Sequence, residues 1–123
     1  MPEPKIFIMD SRGRGSAMVD ALRAVSEDLG IGADIQFSGR KETRLPRDFD
    51  TYILHLSDLH IPDFYELTDS QPWSRFLGLC GGAGYVYAGL ADRFDEINFS
   101  LGDDEYVDIL KNAQANWKRK KEE

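Results

Sequence analysis

Lys5-Ile6-Phe7-Ile8-Met9 runs into Asp10, and Thr51-Tyr52-Ile53-Leu54-His55-Leu56-Ser57 runs into Asp58. Both stretches are short and almost continuously apolar. Runs of that kind read as strands buried on both faces, as in a parallel sheet covered by helices. Between them, Ser11 to Ser16 is a Gly- and Ser-rich turn containing Gly13 and Gly15. Met18, Leu22, Val25 and Leu29 then recur at helical spacing, with Ser16 as the expected N-cap and Gly30 as the expected stop.

The pattern continues outward from these two strands. Asp34 to Ser38 is a further strand, with Ile35 and Phe37 alternating. Gly39 to Asp50 is polar and holds Pro46, so any helix there is short or distorted. Pro62 and Pro72 leave room for about two helical turns around Phe64 to Asp69. Arg75 to Cys80 is the fourth strand, Tyr87, Leu90 and Phe94 mark a helix, and Glu96 to Leu101 is the fifth strand. Tyr106, Ile109, Leu110, Ala113 and Trp117 form the stripe of a last helix. Its first turn carries Asp103, Asp104 and Glu105, and its end carries Lys118 to Lys121, both placed as the helix dipole favours. Strands alternating with helices imply a parallel sheet with right-handed crossovers. The expected architecture is a flavodoxin-like (βα)5 three-layer sandwich with strand order 2-1-3-4-5, spanning 1–123 as one domain.

Composition excludes several classes. The chain has 123 residues, 41% hydrophobic and 30% charged, so it is neither disordered nor fibrous. No apolar run approaches the roughly 18 residues of a membrane span. Met1-Pro2-Glu3-Pro4-Lys5 leads directly into the first strand, which predicts no signal peptide. One cysteine, Cys80, forbids an internal disulfide and suits a reducing compartment; with two histidines it makes a structural zinc site improbable. A net charge of −7 disfavours nucleic acid as a partner. A cytoplasmic domain without membrane contact is expected.

In a wound parallel sheet, ligands sit beyond the carboxyl ends of the strands where the order reverses. The proposed order sets Asp10 and Asp58 there, side by side. Paired carboxylates suit a hard divalent cation such as Mg²⁺, or repel each other if left without one. Left to themselves they also act as caps of nearby turns.

Here the chain resembles a response-regulator receiver domain. The matching residues are Asp10 after strand 1, Asp58-Leu59-His60-Ile61-Pro62 after strand 3, and the last helix from Asp103 to Leu110. The resemblance implies Asp58 as phosphoacceptor, Asp10 and Asp58 as Mg²⁺ ligands, and a histidine kinase or another protein as partner. It also implies a switch in which a strand 4 hydroxyl and a strand 5 aromatic move inward. Cys80 falls at the hydroxyl position and Phe99 at the aromatic one, with Ser100 beside it. Three features depart from the family. The acidic pair after strand 1 is Asp10-Ser11, the strand 4 hydroxyl is absent, and Asn98 to Gly102 lacks the Lys that contacts the phosphoryl group. Counting from Asp50 instead places His55 in the acceptor position. The expectation is a degenerate receiver that acts by binding a protein and not by catalysis, through a face running from Leu90 to Trp117, with a homodimer through that face as a second option.

Two other resemblances are present. Gly78-Leu79-Cys80-Gly81-Gly82 is similar to the nucleophile elbow of class I glutamine amidotransferases, which implies Cys80 as nucleophile. No His follows it, since His55 and His60 both precede it. Gly13-Arg14-Gly15-Ser16 sits where flavodoxin-like proteins hold a flavin phosphate on backbone N–H groups.

Overall fold

The computed structural model describes residues 3–80, 88–98 and 101–122, and the side chains of all of these except 88, 89 and 120–122. Parallel pairing of β1 (Lys5–Met9) with both β2 (Asp34–Ser38) and β3 (Thr51–His55) sets the sheet. β4 (Arg75–Leu79) pairs with β3, and β5 (Glu96–Asn98) pairs with β4. The order is β2-β1-β3-β4-β5, as expected. The central strands are apolar on both sides because helices cover both faces.

One face packs under α1 (Gly15–Leu29) and α4 (Asp103–Glu122). Ile6, Ile8, Ile53 and Leu77 meet Met18 and Leu22 of α1 and Tyr106, Ile109, Leu110 and Ala113 of α4 there. Tyr106 is therefore core, and burial raises its phenol pKa. Gly30 ends α1 in the left-handed conformation at φ 67°, as expected of a glycine stop. Arg14, not Ser16, holds the N-cap position of α1, and no side chain caps it.

The other face lies under α2 (Ile61–Ser70) and α3 (Ala88–Ala91). Phe7, Tyr52, Phe64, Phe76 and Phe94 dominate it. Tyr52 stacks on Phe76 at 5.1 Å and Phe64 on Phe94 at 4.8 Å. Such ring pairs contribute about 1 kcal/mol each beyond their buried area. α2 starts three residues before the expected Phe64, because Pro62 is well placed in a first turn, where no N–H is needed.

Residues 39–50 form no helix. This segment covers the sheet beside β1 with Leu45 and Phe49 instead. It is held by polar bonds. Tyr52 donates its hydroxyl to the Pro46 carbonyl at 2.7 Å. Buried Gln71 accepts from the Asp48 N–H at 2.7 Å and donates to Ser74 Oγ at 2.9 Å. Asp48 sits at φ 68°, a left-handed position that Asp tolerates better than most residues. Asp63 of α2 accepts from the Leu45 N–H at 2.7 Å and from Arg47 at 2.9 Å.

Burial alone raises the Asp63 carboxyl pKa. The Arg47 guanidinium, the Leu45 N–H and the Arg44 charge outweigh it, so the group sits below its ordinary value. A depressed carboxylate adds stability above its unfolded pKa and loses it as the pH falls through its folded one. Arg47→Met is therefore expected to destabilise the chain by about 1–3 kcal/mol near neutral pH. Urea denaturation checks this. The gap to the parent chain narrows as solution pH drops below the carboxylate range.

Candidate functional site at the carboxyl rim of the sheet

The register of β1 on β3 pairs Ile8 with Ile53 and Met9 with Leu54, so the next step sets Asp10 level with His55. β3 thus ends at His55, and Leu56–Asp58 form a 3₁₀ turn in place of the expected last strand residues. The cause is local. His55 Nδ1 lies 3.2 Å from the Ser57 N–H and 2.7 Å from its hydroxyl. With both facing it as donors, Nδ1 is the acceptor and the ring proton belongs on Nε2. The imidazole caps the turn, and Arg12 Nη2 donates to Ser57 Oγ at 3.3 Å.

Asp58 lies on that turn and folds back toward β1. The Ser11 N–H donates to Asp58 Oδ2 at 2.7 Å, and Ser11 Oγ donates to Oδ1 at 2.5 Å. Asp58 is only 2% exposed. Bonds to a carboxylate of this length are charge-assisted and strong. Neighbouring Asp10 is fully buried. Its Oδ1 accepts from the Arg12 N–H at 2.7 Å, a turn-forming bond common for Asp. Its Oδ2 has no hydrogen bond, with Arg14 Nε 3.7 Å away. Ser11 thus joins the two acidic positions by chain adjacency and by hydrogen bonds. The sequence carried a signal for this that was not used: a hydroxyl stands where the resemblance leads one to expect a second carboxylate.

A divalent cation fits this arrangement poorly. Both Asp58 oxygens are already engaged by Ser11 and almost out of reach of solvent, while Asp10 Oδ2 faces a guanidinium. Hard cations want several free oxygens. Among the described residues no three His, Cys, Asp or Glu side chains converge as a metal site.

Cys80 follows β4 at the same carboxyl rim. Cys80 is half-buried, and its N–H donates to the Asn98 carbonyl at 3.0 Å, continuing the β4–β5 ladder. An elbow needs the chain to leave the sheet at the nucleophile, so the backbone at Cys80 lends that reading nothing. Gly81 and Gly82 of the same motif, and the switch candidates Phe99 and Ser100, lie outside the described residues. At the expected phosphate corner, a Cβ on Gly15 would come within 1.9 Å of the Phe37 ring. The Phe37 ring thus lies directly against the Gly15 backbone.

No protein-family model and no curated protein sequence matches the chain. Solved structures do match its fold. A signal receiver domain of an HD domain-containing protein from Pseudomonas fluorescens Pf-5 superposes with a TM-score of 0.63 at 15% identity, covering 99% of this chain and 94% of that one. A CheY-like receiver domain from Methanospirillum hungatei JF-1 superposes at 0.60 and 11% identity, covering 96% and 99%. A Thermotoga maritima response regulator solved with Mg²⁺ and BeF superposes at 0.56 and 16% identity, covering 89% and 98%. The chain has the receiver-domain fold. Among the described residues no helix is long and apolar enough to cross a membrane.

A double-mutant cycle of Ser11→Ala and Asp58→Ala is expected to give a coupling energy of about 1.5–3 kcal/mol, the range for hydrogen bonds to a charged group. Additive losses of stability would show that the clasp contributes nothing.

Proposed function

We propose that this chain is a receiver-type signalling module that works by binding a protein partner, with weak or absent phosphotransfer to Asp58. The observation that carries the proposal is the clasp: both Asp58 oxygens accept hydrogen bonds from Ser11, and the carboxylate is almost wholly buried. A phosphoacceptor oxygen must reach its donor in line. Here the carboxylate is almost wholly buried, and its bonds to Ser11 hold both oxygens in place and lower their nucleophilicity. The strand-end position itself belongs to His55, whose Nδ1 is committed to the turn. Asp10 and Asp58 are the residues nearest to a Mg²⁺ site, and they support at most weak occupancy.

The proposed docking face runs from Leu90 through β5 and along α4 to Trp117. It does not depend on the rim being modified. Its partner is a histidine kinase or another signalling protein, and a second copy of the chain is the alternative occupant.

Incubation with Mg²⁺ and acetyl phosphate, followed by intact mass measurement, is expected to give little or no adduct. Ser11→Asp, which restores a second acidic residue beside Asp10, is expected to raise the adduct yield. A near-stoichiometric phosphoryl adduct on the parent chain that disappears in Asp58→Asn would reject the proposal.

A further inference from the structure

A second cleft lies at the opposite end of the sheet from Asp10 and Asp58. It measures about 370 Å³ and opens between the turn before β4, the residue before β5 and the carboxyl-terminal half of α4. Trp73, Arg75, Asp95, Asn112, Asn116 and Arg119 line it. α4 runs antiparallel to the strands, which brings Arg119 back to the amino end of β4, where Arg75 begins.

The two guanidiniums are not equally committed. Arg75 Nη2 reaches Glu96 at 3.3 Å, while its Nη1 is out of water and has no hydrogen-bond acceptor. A buried donor left in that state is unfavourable, and an acceptor brought to it relieves the cost. Arg119 donates to the Asn116 carboxamide oxygen, which holds its guanidinium at the cleft while Asn116 itself is 9% exposed. One acidic side chain lines the cleft. Asp95 uses Oδ2 to accept the Phe76 N–H at 2.8 Å, a structural bond at the start of β4. Glu96 stands at the rim and is 47% exposed.

We infer that this cleft binds a small oxyanion, a phosphoryl or carboxylate group, between Arg75 and Arg119, with Trp73 as one wall. Guanidinium forks match the two-oxygen geometry of these groups. Nη1 is closed off from solvent as the side chain stands, so Arg75 has to turn toward the cleft and away from Glu96 before Nη1 can meet an anion there. Glu96 competes for the same guanidinium from the solvent side, so it tunes the affinity downward. The inference is independent of the state of Asp58.

The test is an NMR titration of the full chain at constant ionic strength, once with inorganic phosphate and once with citrate. The arginine Nε–H and Trp73 indole signals are followed. Saturable shifts at Arg75, Trp73 and Arg119 are expected. Saturation with phosphate alone assigns the phosphoryl group, with citrate alone the carboxylate, and with both the shared oxyanion chemistry. Arg119→Met alters an exposed side chain and should weaken binding about tenfold. Glu96→Gln releases Arg75 and should tighten binding. Shifts that only rise linearly with both anions, or saturation that survives Arg119→Met unchanged, would overturn the inference.

Discussion

Ser11 grips Asp58 by both carboxylate oxygens, and the carboxyl rim of the sheet is organised around that grip. The register of β1 on β3 makes it available, because it sets the end of β1 level with His55. His55 then caps a 3₁₀ turn with its own imidazole. The turn carries Asp58 back over the β1 end instead of letting it point outward from a strand terminus. A serine at this position can close on a carboxylate, whereas a second acid would repel it. One residue thus separates a self-satisfied pair from a pair seeking a cation.

The same exchange of one support for another occurs on the far side of the sheet. Where residues 39–50 form no helix, Leu45 and Phe49 still fill the layer, and their backbone is fixed by side chains of β3, α2 and the residue that follows α2. Tyr52, Asp63 and Gln71 supply the bonds that a helix would have made internally. The fold tolerates this because the Leu45 and Asp48 N–H groups and the Pro46 carbonyl each find a side-chain partner. The consequence is a receiver-type sheet whose covering on this face depends on a few long-range hydrogen bonds.

Much of this was legible in the residues. The apolar run ending at Asp10 marked β1, the alternation of Ile35 and Phe37 marked β2, and Gly30 marked the end of α1, because burial, strand periodicity and a left-handed stop each leave a local trace. The strand order followed from the alternation of elements. β3 was read too long because Leu56 and Ser57 continue its apolar-polar rhythm, and nothing in periodicity reports that His55 will cap a turn. α2 was read too short because Pro62 looked like a boundary when it is a first-turn residue. Asp10 and Asp58 were placed at the rim correctly, but their partner was not, since a hydrogen bond across 47 residues has no local signature. The Arg75 cleft was missed for the same reason: Arg75 and Arg119 lie on different elements, and only the antiparallel course of α4 unites them.

The central claim is that Ser11 and burial close the Asp58 carboxylate, so that phosphotransfer to it is weak or absent. Beryllofluoride with Mg²⁺ offers the phosphoryl geometry without a chemical step, and the amide signals of Ser11 and Asp58 report directly on the clasp. Both signals are expected to stay in place throughout a titration with the two together. A saturable displacement of either would contradict the claim and return Asp58 to the role of an open acceptor.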